Sequence, residues 1–139
     1  MKKKLAMIVA PALSAAAIAV AGSGPASASD AETMAYTCQD NEVCFYQHAN
    51  FSGSVFVPDE MKNGSYVRSF EYRNFYNGTR ADNAVSSIKN NTGWLVCVYD
   101  QPGAVKYLAT VEIDNDIDFS KEAHYANDAV TSASYCYRN

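Results

Sequence analysis

Only two histidines, His48 and His124, occur in the chain, and neither lies in a nucleophile or metal signature. Four cysteines are present without a close Cys-x-x-Cys pair, and both histidines sit far from them in sequence, which argues against a thiolate metal site. Sustained helical periodicity is absent beyond the first two dozen residues. Basic residues are also few: 11 Lys and Arg stand against 15 Asp and Glu, for a net charge of −4. An acidic surface argues against nucleic acid and anionic membranes as partners. Together these absences make an enzyme the least favoured class.

The one long apolar run is amino-terminal. Lys2, Lys3 and Lys4 precede a stretch from Leu5 to about Ala21, and Ala26-Ser27-Ala28 offers a small-x-small cleavage pattern. This reads as a secretory signal peptide, residues 1–28, with a mature chain starting near Ser29. The run is short, rich in alanine and interrupted by Pro11, which argues against a membrane anchor. Residues 29–139 make one domain of ordinary size. Loss of the three lysines takes the charge from −4 to about −7. The expected protein is secreted, free of the membrane after cleavage, and a monomer.

All four cysteines lie in the mature part, and an even count in an exported chain reads as two disulfides. Three connectivities are possible. The favoured one clips Cys38 to Cys44 at the entry to the first strand and joins Cys97, at the start of the second half, to Cys136 in the last strand.

Short β-prone runs fill the mature chain. Val43 to Gln47 and Ser54 to Val57 flank the turn formers Asn50, Ser52 and Gly53, predicting a hairpin. Further runs lie at Tyr66 to Tyr72, Ser86 to Lys89, Trp94 to Tyr99, Val105 to Val111 and Thr131 to Tyr137. Seven or eight short strands predict an all-β sandwich. Asp114, Asp116 and Asp118 alternate along the chain and read as a solvated loop.

The strongest internal signal is a string that occurs twice. Asp82-Asn83-Ala84-Val85-Ser86-Ser87 recurs as Asn127-Asp128-Ala129-Val130-Thr131-Ser132, and Cys44-Phe45-Tyr46-Gln47 recurs as Cys97-Val98-Tyr99-Asp100. Two repeats follow, about 36–92 and about 93–139, whose duplicated four-strand units predict a two-sheet Greek-key domain. Every polar group in the two strings is a hard oxygen donor, the set that suits calcium or magnesium rather than zinc or copper. With one carboxylate per loop, affinity should be micromolar or weaker. A site of that strength fills outside a cell.

Tyr46-Gln47-His48-Ala49-Asn50-Phe51-Ser52-Gly53 resembles the aromatic-x-x-x-x-Phe-x-Gly corner of the βγ-crystallin superfamily, and the doubled string is similar to its calcium motif. The resemblance implies a βγ-crystallin-type, two-sheet Greek-key sandwich built from two repeats. It also implies two calcium ions, each shared between repeats: leading acid and amide positions from one loop meet the fifth-position hydroxyl of the other. The leading positions are Asp82, Asn83, Asn127 and Asp128; the hydroxyls are Ser86 and Thr131. Asp100 is a further candidate oxygen, with Gln47 at the equivalent place in repeat one. In the corner, Gly53 allows a backbone conformation closed to other residues, so that Tyr46 and Phe51 can pack together. The second half departs from the pattern, because Tyr99 to Lys106 lacks both the Phe and the Gly, and Pro102-Gly103 predicts a tighter turn.

Within that superfamily the Cys38-to-Cys44 entry, the Asn50-Phe51-Ser52-Gly53 corner and the run from Asp82 through Gly93-Trp94 to Tyr99 most resemble a secreted bacterial peptidase-inhibitor family whose best-known member blocks metalloproteinases. That implies an extracellular peptidase as partner; Asn115 to Lys121 and Glu71 to Gly78 are the loop or edge candidates for the contact. The cluster Tyr72-Arg73-Asn74-Phe75-Tyr76 has the composition of a binding hot spot, although a crystallin strand could carry the same residues. Two other classes stay open: a calcium-stabilised structural or stress protein, and a killer-toxin-like secreted crystallin.

Overall fold

Four consecutive buried residues open the strand Val43–His48 and decide where it sits. In the computed structural model, which describes residues 36–137, Val43 and Phe45 point into the main core while Cys44 and Tyr46 join a second apolar cluster with Cys38, Val55 and Val57. Successive strand side chains face opposite sides. This strand, β1, is therefore covered on both faces, the second by the segment that the Cys38–Cys44 disulfide folds back over it.

The other strands are β2 (Ser52–Phe56), β3 (Ser87–Asn90), β4 (Leu95–Gln101), β5 (Val105–Val111), β6 (Asn115–Asp118) and β7 (Ser132–Cys136), with a one-turn helix α1 (Asp59–Lys62) after β2. They form two antiparallel sheets, β2-β1-β3-β6 and β5-β4-β7. Each repeat lends a piece to the other's sheet. Strand β6 of the second repeat pairs with β3 of the first, and Val67 of the first repeat bridges to Ala133 in β7 of the second. Within repeat one, β3 returns by a long connection to lie beside β1, the Greek-key move. Between the sheets, Phe45, Phe56 and Phe70 form an aromatic trio with ring centroids 5.0 to 5.9 Å apart.

Two expectations from the sequence are corrected here. Tyr66 to Tyr72 is not a strand: after the single bridge at Val67 the chain turns so that Phe70 reaches the trio, its N–H bonded to Thr131 O at 2.7 Å. The alternating acids Asp114, Asp116 and Asp118 are not a solvated loop, because Asn115–Asp118 is the edge strand β6 and Ile117, Asp118 and Phe119 are buried. Tertiary pairing with β3 overrides the poor strand propensity of Asn and Asp. The disulfides are Cys38–Cys44 and Cys97–Cys136; the second joins the central strand of its sheet to its neighbour β7. The leader and the cleavage point near Ser29 lie outside the described residues.

Candidate functional site

Both doubled strings are loops pinned by their valines. Val85 and Val130 are fully buried, as are Ala81 and Ala126 at the entry to each loop. The second residue of each string adopts a left-handed backbone, φ 54° at Asn83 and 53° at Asp128, which Asn and Asp tolerate better than most residues. That turn aims each loop at the other: Asn83 donates its N–H to Val130 O and Asp128 donates its N–H to Val85 O, both at 3.1 Å.

The side chains cross in the same reciprocal way. Ser86 Oγ lies 3.2 Å from Asp128 Oδ1 and 3.0 Å from Gln47 O. Thr131 Oγ1 lies 3.3 Å from Asn83 Oδ1. Thus the fifth-position hydroxyl of each loop meets the second position of the other. The first positions behave differently. Asp82 Oδ2 accepts from Asn83 Nδ2, and Asn127 Nδ2 donates to Asp128 Oδ2.

The supporting strands carry the symmetry further. Ser86 N–H bonds Tyr46 O and Ser87 Oγ bonds His48 O; Thr131 N–H bonds Tyr99 O and Ser132 Oγ bonds Gln101 O. Gln47 and Asp100 therefore hold equivalent places. Their side chains are engaged by different partners, Asn77 for Gln47 and the Lys106 ammonium for Asp100. Lys106 escaped the sequence reading; the signal available was a lysine six positions after Asp100 across the Pro102-Gly103 turn.

The residues fit a hard cation. Every donor at the crossing is oxygen, and Asp82 Oδ1 is a buried carboxylate oxygen with no hydrogen-bond partner, the kind of atom that a cation satisfies. A sulfur site is excluded at Cys38, Glu42 and Cys44, whose ligand atoms lie within 4.8 Å of one another, because both sulfurs share one disulfide. Glu42 there is a structural anion. Burial alone would raise its carboxyl, but Lys62, the Gln39 N–H and the Tyr36 hydroxyl hold it below the ordinary range. In turn, burial and the neighbouring Glu42 push the Tyr36 phenol up to about 12.

The aromatic corner of repeat one is formed. Tyr46 and Phe51 meet edge to face at 6.0 Å, Gly53 has φ 73°, and a Cβ there would stand 2.4 Å from Cδ2 of His48. Repeat two builds a different corner, with Gly103 and Ala104 both left-handed and Tyr99 packed edge to face on Tyr107 at 6.2 Å.

The stretch after Phe70 is an exposed loop rather than the crystallin strand its composition allows. Phe75 is its buried anchor, and Asn74 bridges to Arg80. Tyr72 is 82% exposed and Tyr76 62%.

Residues 31–111 match the model of peptidase inhibitor family I36. The chain belongs to this family. Among solved structures, one described under the evolution of the eye lens βγ-crystallin domain fold covers 75% of the chain and 94% of its own length, with 18% identity and a TM-score of 0.57. The βγ-crystallin of Ciona intestinalis covers 68% and 99%, with 14% identity and a TM-score of 0.51. At such identity the likeness shows the fold alone: this I36 chain has the βγ-crystallin sandwich. No curated protein matches the sequence.

Proposed function

We propose that this I36 chain is an exported, calcium-braced inhibitor that presents its 71–80 loop to an extracellular metallopeptidase. The observation that carries the reading is the loop itself, seated on an inhibitor-family chain. Its backbone is tied at both ends and in the middle: Ala81 N–H to Arg73 O, Phe75 N–H to Thr79 O, and Tyr76 N–H to Val55 O, each 2.9 Å. Asn77 N–H adds a bond to Ser54 Oγ at 2.9 Å. Such a loop pays little ordering entropy on binding, while Tyr72, Arg73 and Tyr76 offer the aromatic and guanidinium groups that anchor interfaces. Arg73 is oriented by an ion pair with Glu60.

Calcium completes the scaffold. Asp128, Ser86 and Gln47 O would hold one ion, and Asn83, Thr131 and Asp100 the second, with Asp82 as an additional oxygen source. Bound calcium supplies positive charge where lone pairs from both repeats converge, tying the repeats together. About 1 mM calcium on a ~10 μM site adds roughly 2.7 kcal/mol to the folded state. The role is structural and needs no catalysis.

The test is a titration of a thermolysin-like secreted metallopeptidase with the oxidised mature protein in calcium buffer. Saturable inhibition near one-to-one is expected. A flat response with the protein uncleaved would refute the inhibitor reading and leave a calcium-stabilised structural protein. Intact-mass measurement of the exported chain should place its start near Ser29.

A further inference from the structure

A ten-residue loop is too small to be a whole protein–protein contact. A stable interface engages roughly 20–30 residues a side, so the 71–80 loop needs neighbours that share its surface. The segment 36–42, which enters β1, is one of them. Its ring at Tyr36 packs edge to face on Tyr76, with centroids 5.6 Å apart and planes at 83°. Tyr36 is half-buried, whereas Tyr76 is mostly exposed.

Tyr36 is held there from several directions. Its hydroxyl donates to Glu42 Oε2 at 2.8 Å, and its carbonyl accepts from the Tyr46 hydroxyl at 2.9 Å. Glu42 is buried, takes the Gln39 N–H on the same oxygen at 2.9 Å, and pairs through Oε1 with Lys62 at 2.8 Å. The backbone of the segment is tied to Asn91, just past β3: Asn41 N–H donates to Asn91 O at 2.7 Å, Asn91 N–H to Glu42 O at 2.9 Å, and Asn91 Nδ2 to Cys38 O at 2.9 Å. The Cys38–Cys44 disulfide closes the bend. Covering the outer face of β1 needs only apolar contact. These polar ties go further and fix the position of one ring, and that ring meets the loop.

We infer that the peptidase contact is composite: Tyr36 is a third aromatic of it beside Tyr72 and Tyr76, held in place by Glu42 and the Cys38–Cys44 clip. This rests on the inhibitor reading above. Tyr36 offers a ring that is ordered before binding, so it adds apolar area at little entropic cost. Glu42, being buried, touches no partner and acts through Tyr36 as a positioning residue. Because the two rings orient each other, the effects of losing Tyr36 and Tyr76 are coupled.

The experiment compares inhibition of a thermolysin-like metallopeptidase by the oxidised mature protein and its variants, alongside hydrogen exchange of the wild-type complex. Tyr36→Ala should weaken inhibition about tenfold, and Tyr36→Phe, which keeps the ring on Tyr76, by no more than about threefold. Adding Tyr76→Ala to Tyr36→Ala should cost less than the product of the two single losses. Glu42→Ala should weaken inhibition, and Glu42→Gln, which keeps an acceptor for the Tyr36 hydroxyl, should recover most of it. Hydrogen exchange reads the contact without any variant: amides 37–41 should slow on binding together with those of 71–80. Slowing confined to 71–80, with Tyr36→Ala as potent as wild type, would overturn the composite contact and leave the loop reading intact. No inhibition and no slowing anywhere in wild type would overturn the inhibitor reading and this inference with it.

Discussion

Asp118 is the residue on which the joint between the two repeats can be measured. It lies at the end of β6, is 3% exposed, and accepts four hydrogen bonds. Oδ1 takes the Ser120 N–H at 3.0 Å and the Ser120 hydroxyl at 2.7 Å; Oδ2 takes the Asn50 N–H at 3.0 Å and faces Lys121 Nζ at 3.2 Å. Burial by itself raises this carboxyl, but the Ser120 hydroxyl, the Asn50 and Ser120 amides and Lys121 prevail and hold it at about 2, below its ordinary 3.8. A depression of that size corresponds to roughly 2 kcal/mol of folding stability, of which exposed Lys121 supplies well under 1 kcal/mol. The folded value lies below the unfolded one, so the contribution is complete above about pH 4 and disappears as pH falls through about 2. Asp118→Asn leaves one acceptor and turns an N–H toward either the Asn50 or the Ser120 amide. We expect a loss of about 2 kcal/mol in denaturant unfolding at neutral pH. The gap between wild type and variant should close as pH falls below 4. Glu42, also depressed, lowers both proteins together and drops out of the difference. A gap that stays constant with pH, or one below about 0.5 kcal/mol at neutral pH, would refute the reasoning.

The corner offers a sharper steric test: Gly53→Val combines a β-branched residue at φ 73° with overlap onto His48, and should cost about 2–4 kcal/mol by thermal melting. In a His48→Ala background Gly53→Ala should cost measurably less than in wild type. Calcium at about 1 mM should raise the melting temperature of the wild-type protein, the joint Ser86→Arg and Thr131→Arg variant should show no such rise, and an equal rise in both would sink the shared sites. Truncating Tyr72 and Arg73 to alanine should weaken peptidase inhibition at least tenfold with unchanged melting; full potency would move the contact elsewhere on the surface. Removing Cys97–Cys136, which spans 39 positions, should destabilise by about 4 kcal/mol in the chain-entropy picture, against about 2 for Cys38–Cys44, which spans 6. Denaturant midpoints of the paired Cys→Ser variants check that order.

Local and textual signals were the legible ones. The hairpin at Asn50 to Gly53 shows in sequence because turn chemistry and strand propensity coincide there, and the doubled strings show because their residues repeat. The β6 strand was illegible for the opposite reason. Asn115-Asp116-Ile117-Asp118 reads as a solvated acidic run, and only its ladder with β3 and the donors around Asp118 make it a strand. Nothing local announces a ladder partner some thirty residues away. Tyr66 to Tyr72 failed in reverse. Its aromatic content suits a strand, but Phe70 is needed in the trio with Phe45 and Phe56, and a straight ladder cannot deliver it there.

The candidate site divides along the same line. Ser86, Asp128, Thr131 and Asn83 could be named from the strings because the loops are short and self-contained. Gln47 could be named as the counterpart of Asp100, but that its backbone oxygen meets Ser86, and that Asn77 and Lys106 engage the side chains of Gln47 and Asp100, follows only once β1, the 71–80 loop and the β4–β5 turn have folded. A repeat in sequence predicts equal sites only if the supporting strands also repeat. Here they do not: Gln47 stands opposite Asp100, Asn77 opposite Lys106, and the second turn replaces Phe51 and Gly53 with a Pro-Gly bend. A strand carboxylate beside a tight turn is within reach of a lysine, whereas Asp128 in its loop is met by Ser86 and Asn127 and has no cation beside it among the described residues. Asp100→Gln removes the ion pair with Lys106, and because that pair is largely solvated the melting temperature should hardly change; a large drop would show that the β4–β5 turn depends on it.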